Sequence, residues 1–348
     1  MLIWDKGFTT TAAPQPNIIA DLELQIVPEI QKHLTDADAF VNKTWIWWDG
    51  DLKKIANSGK RLICYSGADW DNSCERTHYG RFTNSEVDRV VSVWEQIELS
   101  KAEVIHIGNT RGNHYHSFWL EFVAQNVHKY ADPDTLSINS NPKPFMCLNR
   151  KPHRHRIVLA QKLQERNLWQ QGYVSLGGEE PQTLARDIVS EQGDAVVGGS
   201  TPDVPGYVGI TNDIDSLGDP ANWRDHFCNI VTETTVHTDV FITEKTFKPI
   251  LGHRPFVILG DHNIYTQLQA WGFDTFDDVF GTGYNNPDWE QRTHWVCDVV
   301  KDLCADRDLH LLYKDLIPRL QHNRAQFDRA VEINRQQLKN FNSLAYNK

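Results

Sequence analysis

Two short stretches of the chain hold the side chains whose type and spacing could do chemistry. The first is Asn149-Arg-Lys-Pro-His-Arg-His-Arg156, with four cationic side chains and two histidines on a turn between an apolar run and a helical pattern. A charge density of this kind calls for an anion. The free N–H groups of a helix start favour the same guest, so a phosphate or pyrophosphate is the natural ligand, with Asn149, Arg154 and Arg156 as candidate binding residues. The competing reading is a solvated basic turn. The second stretch is Val231-Thr-Glu-Thr-Thr235 followed by Phe241-Ile-Thr-Glu-Lys-Thr-Phe-Lys248. Glu233 ends a strand pattern, Thr243 is placed as a helix N-cap, and Glu244-Lys245 opens the helix, with Lys248 one turn on. A carboxylate such as Glu244 can accept from a pair of sugar or ribose hydroxyls, and an adjacent ammonium can neutralise a phosphate. Charge-assisted bonds of this kind contribute roughly 1.5–3 kcal/mol each. The competing reading is a capped helix with solvent-facing charges.

The elements around these stretches alternate between strand and helix. In the first half, Thr44-Trp-Ile-Trp-Trp48, Arg61-Leu-Ile-Cys-Tyr65 and Glu103-Val-Ile-His-Ile107 read as strands ending in polar turns. Residues 84–100 put Val87, Val90, Val91, Trp94 and Ile97 on one helical face, and Phe118, Phe122 and Val123 form a second apolar stripe. The Pro-, Ser- and Asn-rich stretch from Asp132 to Pro144 reads as a linker between residues 1–140 and 141–348. Beyond it, strands are predicted at Phe145-Met-Cys-Leu148, Tyr173-Val-Ser-Leu176, Asn229-Ile-Val-Thr232 and Pro255-Phe-Val-Ile-Leu259. Leu159 and Leu163, and then Ile264, Leu268 and Trp271, mark intervening helices, and the last stretch is helical, with Pro318 expected to start or break a helix. Alternation of this kind predicts α/β domains built on parallel sheets, whose ligands bind at the carboxyl ends of the strands. The default site is therefore a cleft between the two domains.

Composition narrows the function classes. The chain has 348 residues, 40% hydrophobic and 23% charged, which excludes a disordered or collagen-like protein and is long enough for two cores. No apolar run approaches the roughly 20 residues of a membrane span, and the N-terminus reads as having no signal peptide, so a cytoplasmic location is expected. Six cysteines without a CxxC pair fit reduced core thiols. A net charge of −11 disfavours broad nonspecific nucleic-acid binding but leaves room for a local basic patch. Twelve tryptophans fit either a rich core or surfaces that stack on sugars or bases; Trp45 and Trp47 share one strand face and Trp48 takes the other.

Phe241-Ile-Thr-Glu-Lys245 followed by Pro255-Phe-Val-Ile-Leu-Gly260 resembles the donor-binding signature of the α-1,3-fucosyltransferase family. That signature has a Tyr-Ile/Val-Thr-Glu-Lys run after a strand ending Phe-Glu-Asn-Ser/Thr. Glu233 stands at the position of the first Glu, with one extra residue in the spacer. Asn149, Arg156 and Leu163 match the family's upstream Ser-Asn, Arg and helix Leu, again with one extra residue. The resemblance covers about residues 145–260. Thr-Glu-Lys-Thr-Phe-Lys-Pro249 is also similar to segments of glycosyltransferase-like phage proteins. The resemblance implies a GT-B-like fold, two Rossmann-like domains facing across a cleft with a helical C-terminal tail. It also implies transfer from a nucleotide sugar, usually GDP-fucose, with inversion; for this chain a GDP- or UDP-linked donor is expected, without a further cofactor. Arg156 and Lys245 would hold the diphosphate, Glu244 the ribose hydroxyls, and Glu233 would lie near the donor. Phe241 in place of Tyr and Thr234 in place of Asn are departures that bear on fucose and guanine specificity.

Inversion requires a general base facing the acceptor hydroxyl. It is expected from the N-terminal half, where Asp69 and Asp71 follow a strand end and His114 and His116 follow the next. Each is also an ordinary loop residue type. Asp213 and Asp215 form a DxD pair of the kind that can bind a metal, but short acidic loops are common and no metal is expected. Three functions remain open. The acceptor could be a carbohydrate, or a hydroxymethylated pyrimidine of viral DNA, flipped out of the duplex toward Lys53, Lys54, Lys60, Arg61 and Trp70. The third is a non-catalytic nucleotide-sugar or carbohydrate-binding module.

Overall fold

A computed structural model describes residues 2–5, 24–27, 39–43, 61–65, 104–108, 114–115, 117–130, 136–149, 153–176, 217, 220–236, 240–305 and 307–346. The chain divides into two compact units, Met1–Phe118 with Glu332–Lys348, and Trp119–Val331.

In the first unit, β1 (Leu2–Asp5), β2 (Leu24–Val27), β3 (Ala39–Lys43), β4 (Arg61–Tyr65), β5 (Val104–Gly108) and β6 (His114–Tyr115) form a parallel sheet in the order β2-β1-β3-β4-β5-β6. Short apolar runs such as Leu62-Ile-Cys64 suit a parallel sheet, because both faces of such strands are covered. Arg61 opens β4 and His114 opens the edge strand β6, where it pairs in register with Ile107. After β6 come α1 (Phe118–Gln125) and α2 (Val127–Tyr130), which from Trp119 on belong to the second unit. Ser117, just before α1, has both backbone groups bonded to the buried Asn334 amide: Ser117 N–H donates to Oδ1 at 2.8 Å and Nδ2 donates to Ser117 O at 3.1 Å.

The second unit runs β7 (Lys143–Asn149), α3 (Arg154–Glu165), β8 (Tyr173–Leu176), α4 (Pro220–Arg224), β9 (His226–Thr232), α5 (Glu244–Leu251), β10 (Phe256–Leu259), α6 (Ile264–Ala270), α7 (Asp277–Phe280), α8 (Trp289–Leu303) and α9 (Leu309–Tyr346), whose residues from Glu332 on belong to the first unit. Its parallel sheet has the order β10-β9-β7-β8, and every residue of the interior strand β9 is buried. Among the described residues, the outer edge of β10 meets a side chain rather than a strand. Ile258 N–H donates to the buried Tyr265 hydroxyl at 2.7 Å, and the Tyr265 ring is stacked on Tyr284 at 3.6 Å. The fold is therefore α/β with parallel sheets and a helical C-terminal region, as the strand–helix alternation predicts. Pro318 does not break the last helix: α9 passes straight through it. A proline removes one backbone bond, and here Tyr313, Leu316, Leu320, Phe327 and Val331 bury a continuous stripe on both sides of it, which holds the helix together. Arg319, the next residue, grips Asp274 through Nε at 2.5 Å and Nη2 at 2.7 Å, and also bonds Asp278 Oδ1 at 2.7 Å.

A buried cation organises the start of β9. The Arg254 guanidinium donates to Ser137 O at 2.7 Å, to Tyr313 Oη at 2.7 Å and to Trp223 O, and it lies over the Tyr313 ring. His226 sits beside it, its ring nitrogens 2.7 Å from Asn222 O and 2.6 Å from Asn229 Oδ1. Burial, reinforced by the Arg254 charge, pushes the His226 imidazole down to about 4. Burial does the same to His253, again with arginines adding to it. Between about pH 6.5 and 4 the unfolded chain therefore binds a proton at His226 that the folded chain does not. This stability is fully present above pH 6.5 and is lost as pH falls toward 4, by on the order of 3 kcal/mol for His226. Urea unfolding of the wild type should show this fall, and His226→Gln should flatten it; an unchanged slope in the variant would remove His226 as its source.

Candidate functional site

The strand order of the second unit reverses at β7, which has β8 on one side and β9 on the other. In open α/β sheets such a reversal opens a crevice at the carboxyl ends of the two strands, and those ends are Asn149 and Thr232. The candidate residues of residues 149–248 gather around that point.

Asn149 stitches the strand ends together. Its Oδ1 accepts from the Thr232 hydroxyl, and its backbone N–H donates to Ser175 Oγ at 3.1 Å. Arg156 is buried in the first turn of α3. Its Nη2 donates to Thr232 O at 3.0 Å and Glu233 O at 3.1 Å, and His155 Nε2 lies 2.8 Å from Glu233 O. Burial draws the Arg156 guanidinium down to about 10, against the opposing pull of Glu233 and Glu244, so it stays cationic at neutral pH. Arg156 and His155 thus hold the carbonyls at the end of β9, Thr232 O and Glu233 O. Arg154, one residue earlier, is exposed, with its guanidinium 5.9 Å from the centroid of the Trp289 ring.

Glu233 is wholly buried at 0% exposure, and its carboxylate is turned inward. Oε1 accepts from Thr243 N–H at 3.0 Å and from the Thr246 hydroxyl at 2.7 Å, while Oε2 accepts from the Thr243 hydroxyl at 2.7 Å. These bonds satisfy donors at the start of α5 and place a negative charge where the helix dipole favours one. Thr243 is the N-cap: its Oγ1 accepts from Lys245 N–H at 3.4 Å and from Lys245 Nζ at 3.0 Å. Gly260, at the end of β10, comes close to this carboxylate. A Cβ there would lie 3.3 Å from Glu233 Cβ and 2.4 Å from Ile264 Cδ1.

Glu244 is used differently. It is only 4% exposed, and Lys245 Nζ holds Oε1 at 3.1 Å, while Oε2 is buried with no hydrogen-bond partner among the described residues. Burial alone would raise this carboxyl. The Lys245 and Lys248 ammonium groups and a backbone N–H outweigh it and hold the group below the usual carboxylate range. Lys245 and Lys248 are half-buried. The result is an ionised carboxylate with one satisfied oxygen and one free oxygen, flanked by two cations at the N-terminus of an eight-residue helix. The two ammonium groups can neutralise a neighbouring anion, and Oε2 can accept a hydroxyl donor once the side chains that cover it make way.

The structure therefore brings Asn149, Arg154, Arg156, Glu233, Thr243, Glu244, Lys245 and Lys248 to one edge of one sheet. Within that set, Asn149, Arg156, Glu233 and Thr243 are bonded to the protein itself, and Lys245 bonds Thr243 and Glu244. Asp69, Asp71 and His116 lie outside the described residues, as do the DxD pair and Lys53, Lys54, Lys60 and Trp70; His114 and Arg61 are placed by their strands alone. Sequence reasoning passed over Thr246, whose only signal is its place three residues after the N-cap, and over Arg292, which has no local signal. Among the described residues no cluster of His, Cys, Asp and Glu could hold a metal ion, and no helix is long and apolar enough to cross a membrane.

No family model matches the chain, and no curated protein matches it significantly. Among solved structures, the chain is similar to a crystal structure of an alpha1,3-fucosyltransferase at 11% identity and a TM-score of 0.38, over 95% of this chain and 89% of that one. It is also similar to an alpha1,3-fucosyltransferase crystallised with GDP-fucose, at 10% identity and a TM-score of 0.39, over 97% of this chain and 89% of the other.

Proposed function

We propose that the chain is a glycosyltransferase that moves a sugar from a nucleoside-diphosphate sugar, GDP- or UDP-linked, to a hydroxyl acceptor with inversion. The observation that carries this reading is the free, buried Oε2 of Glu244 beside Lys245, at the carboxyl edge of a parallel sheet where the strand order reverses. A ribose diol supplies two hydroxyl donors to such a carboxylate, and the diphosphate of the same ligand supplies the anion for Lys245, Lys248, Arg154 and the start of α3.

As the bond between sugar and diphosphate breaks, negative charge grows on the leaving phosphate. Cations fixed in advance stabilise that charge without having to reorganise, and Lys245 and Arg154 take this role. Arg156 and Glu233 act on the ligand through the backbone they hold. The base that takes the acceptor proton is assigned to Asp69, Asp71 or His114 of the N-terminal region, residues 1–140, with residues 141–348 binding the donor.

The test is thermal unfolding with GDP-, UDP-, ADP- and CMP-linked sugars. A ligand at about 100 times its Kd stabilises by roughly 2.7 kcal/mol, a rise of about 5 °C or more in Tm for a domain of this size. A rise with one nucleotide class is expected. No rise with any of them would overturn the reading, and binding without transfer or donor hydrolysis would leave a binding module in place of an enzyme.

A further inference from the structure

Arg292 lies in the first turn of α8, far in sequence from every residue of the candidate site, and it is buried at 1% exposure. Its Nη1 donates to Asn286 O at 2.5 Å and to Pro287 O at 2.9 Å, and its Nη2 donates to Val236 O at 2.5 Å. Among the described residues Nε is buried with no partner and no carboxylate bonds the guanidinium directly, while Asp261 and Asp288 act on its charge from further away. A buried cation to which no described carboxylate is directly bonded is a poor way to fill space, because an apolar side chain of similar volume does so without the desolvation penalty. What the guanidinium provides is a rigid fork that can hold several carbonyls at once.

Val236 belongs to the connection from β9 to α5, whose two ends are Glu233 and Thr243. The ends are tied to each other by the Glu233 carboxylate, and the connection is tied to α8 by Arg292. Glu244 follows Thr243 directly, so the Glu233 tie fixes where α5 starts, and Arg292 holds the same connection at Val236. We propose that Arg292 is a positioning residue for ligand binding: by holding the β9–α5 connection it sets where the free oxygen of Glu244 is presented to the nucleotide sugar. The inference rests on the donor-site reading above.

The experiment compares Arg292→Ala, Arg292→Lys, Arg319→Ala and Glu244→Gln with the wild type. It uses calorimetric titration of GDP and UDP sugars at a temperature well below each variant's Tm. Arg319 grips Asp274 and Asp278 and supplies a control that loses stability without touching the β9–α5 connection. Arg292→Ala is expected to lose at least tenfold in affinity, Arg292→Lys about threefold, and Arg319→Ala less than twofold despite a lower Tm. If Arg292→Ala does not fold, Arg292→Lys against Arg319→Ala decides in the same way. Binding that Glu244→Gln loses but both Arg292 variants keep would overturn this inference alone. A wild type that binds no nucleotide would overturn the donor reading and the inference with it.

Discussion

Glu233→Ala is expected to lower the unfolding free energy by about 4 kcal/mol, the largest stability loss of any single substitution at the site. The carboxylate is wholly buried and accepts three hydrogen bonds, from the Thr243 backbone, the Thr243 hydroxyl and the Thr246 hydroxyl. Bonds to a charged acceptor contribute roughly 1.5–3 kcal/mol each, and deleting the acceptor leaves all three donors facing an empty space from which water is excluded. Glu233→Gln keeps the shape and one acceptor oxygen, and should lose about half as much. Urea unfolding of the three proteins checks this. A loss under about 1 kcal/mol in the alanine variant would show that the start of α5 does not hang on Glu233, and the structural role assigned to it would have to be abandoned.

Glu244→Gln should behave in the opposite way. Its expected effect on stability is small, within about 1 kcal/mol, because the half-exposed Lys245 is the partner its carboxylate loses. Its expected effect on ligand binding is large. Losing a charge-assisted acceptor for two hydroxyls should weaken nucleotide-sugar affinity by roughly 10- to 100-fold, equivalent to about 1.5–3 kcal/mol. The Glu244 carboxyl is held below the usual range by Lys245 and Lys248 against the effect of burial, so it is ionised throughout the neutral range. Wild-type affinity should accordingly stay level from pH 8 down to about 5, apart from changes in the ligand itself. Titration of the variant with the nucleotide that stabilises the wild type measures the loss. A change under threefold would take Glu244 out of the binding site. Two glutamates at the opposite ends of the β9–α5 connection thus separate cleanly, one lost in stability and the other in affinity.

Much of this architecture is legible in the sequence. The short apolar runs at Phe145, Tyr173, Asn229 and Phe256 all become parallel strands, because a run that is apolar on both faces is stable only inside a covered sheet. Thr243 caps α5 as its residue type and position predict, since the cap bond is made to a backbone group two residues away. Pro318 shows where such local reasoning stops. The propensity of one residue is outweighed by a buried stripe that runs past it on both sides.

The candidate site divides along the same line. Residue types and spacing determined which polar groups arrive at the carboxyl edge of the sheet, because strand and helix periods fix each residue's place within its own element. They did not determine which of those groups the protein itself occupies. Arg156 and Glu233 read as ligand residues in the sequence, and the fold turns both inward, one onto the carbonyls of Thr232 and Glu233 and the other onto Thr243 and Thr246. Arg292 carries no signal because its partner, Val236, lies 56 residues away. Hydrogen bonds act over about 3 Å, and only the tertiary structure brings distant segments that close. It thereby leaves Glu244, among the carboxylates gathered there, with a buried oxygen that no described residue bonds.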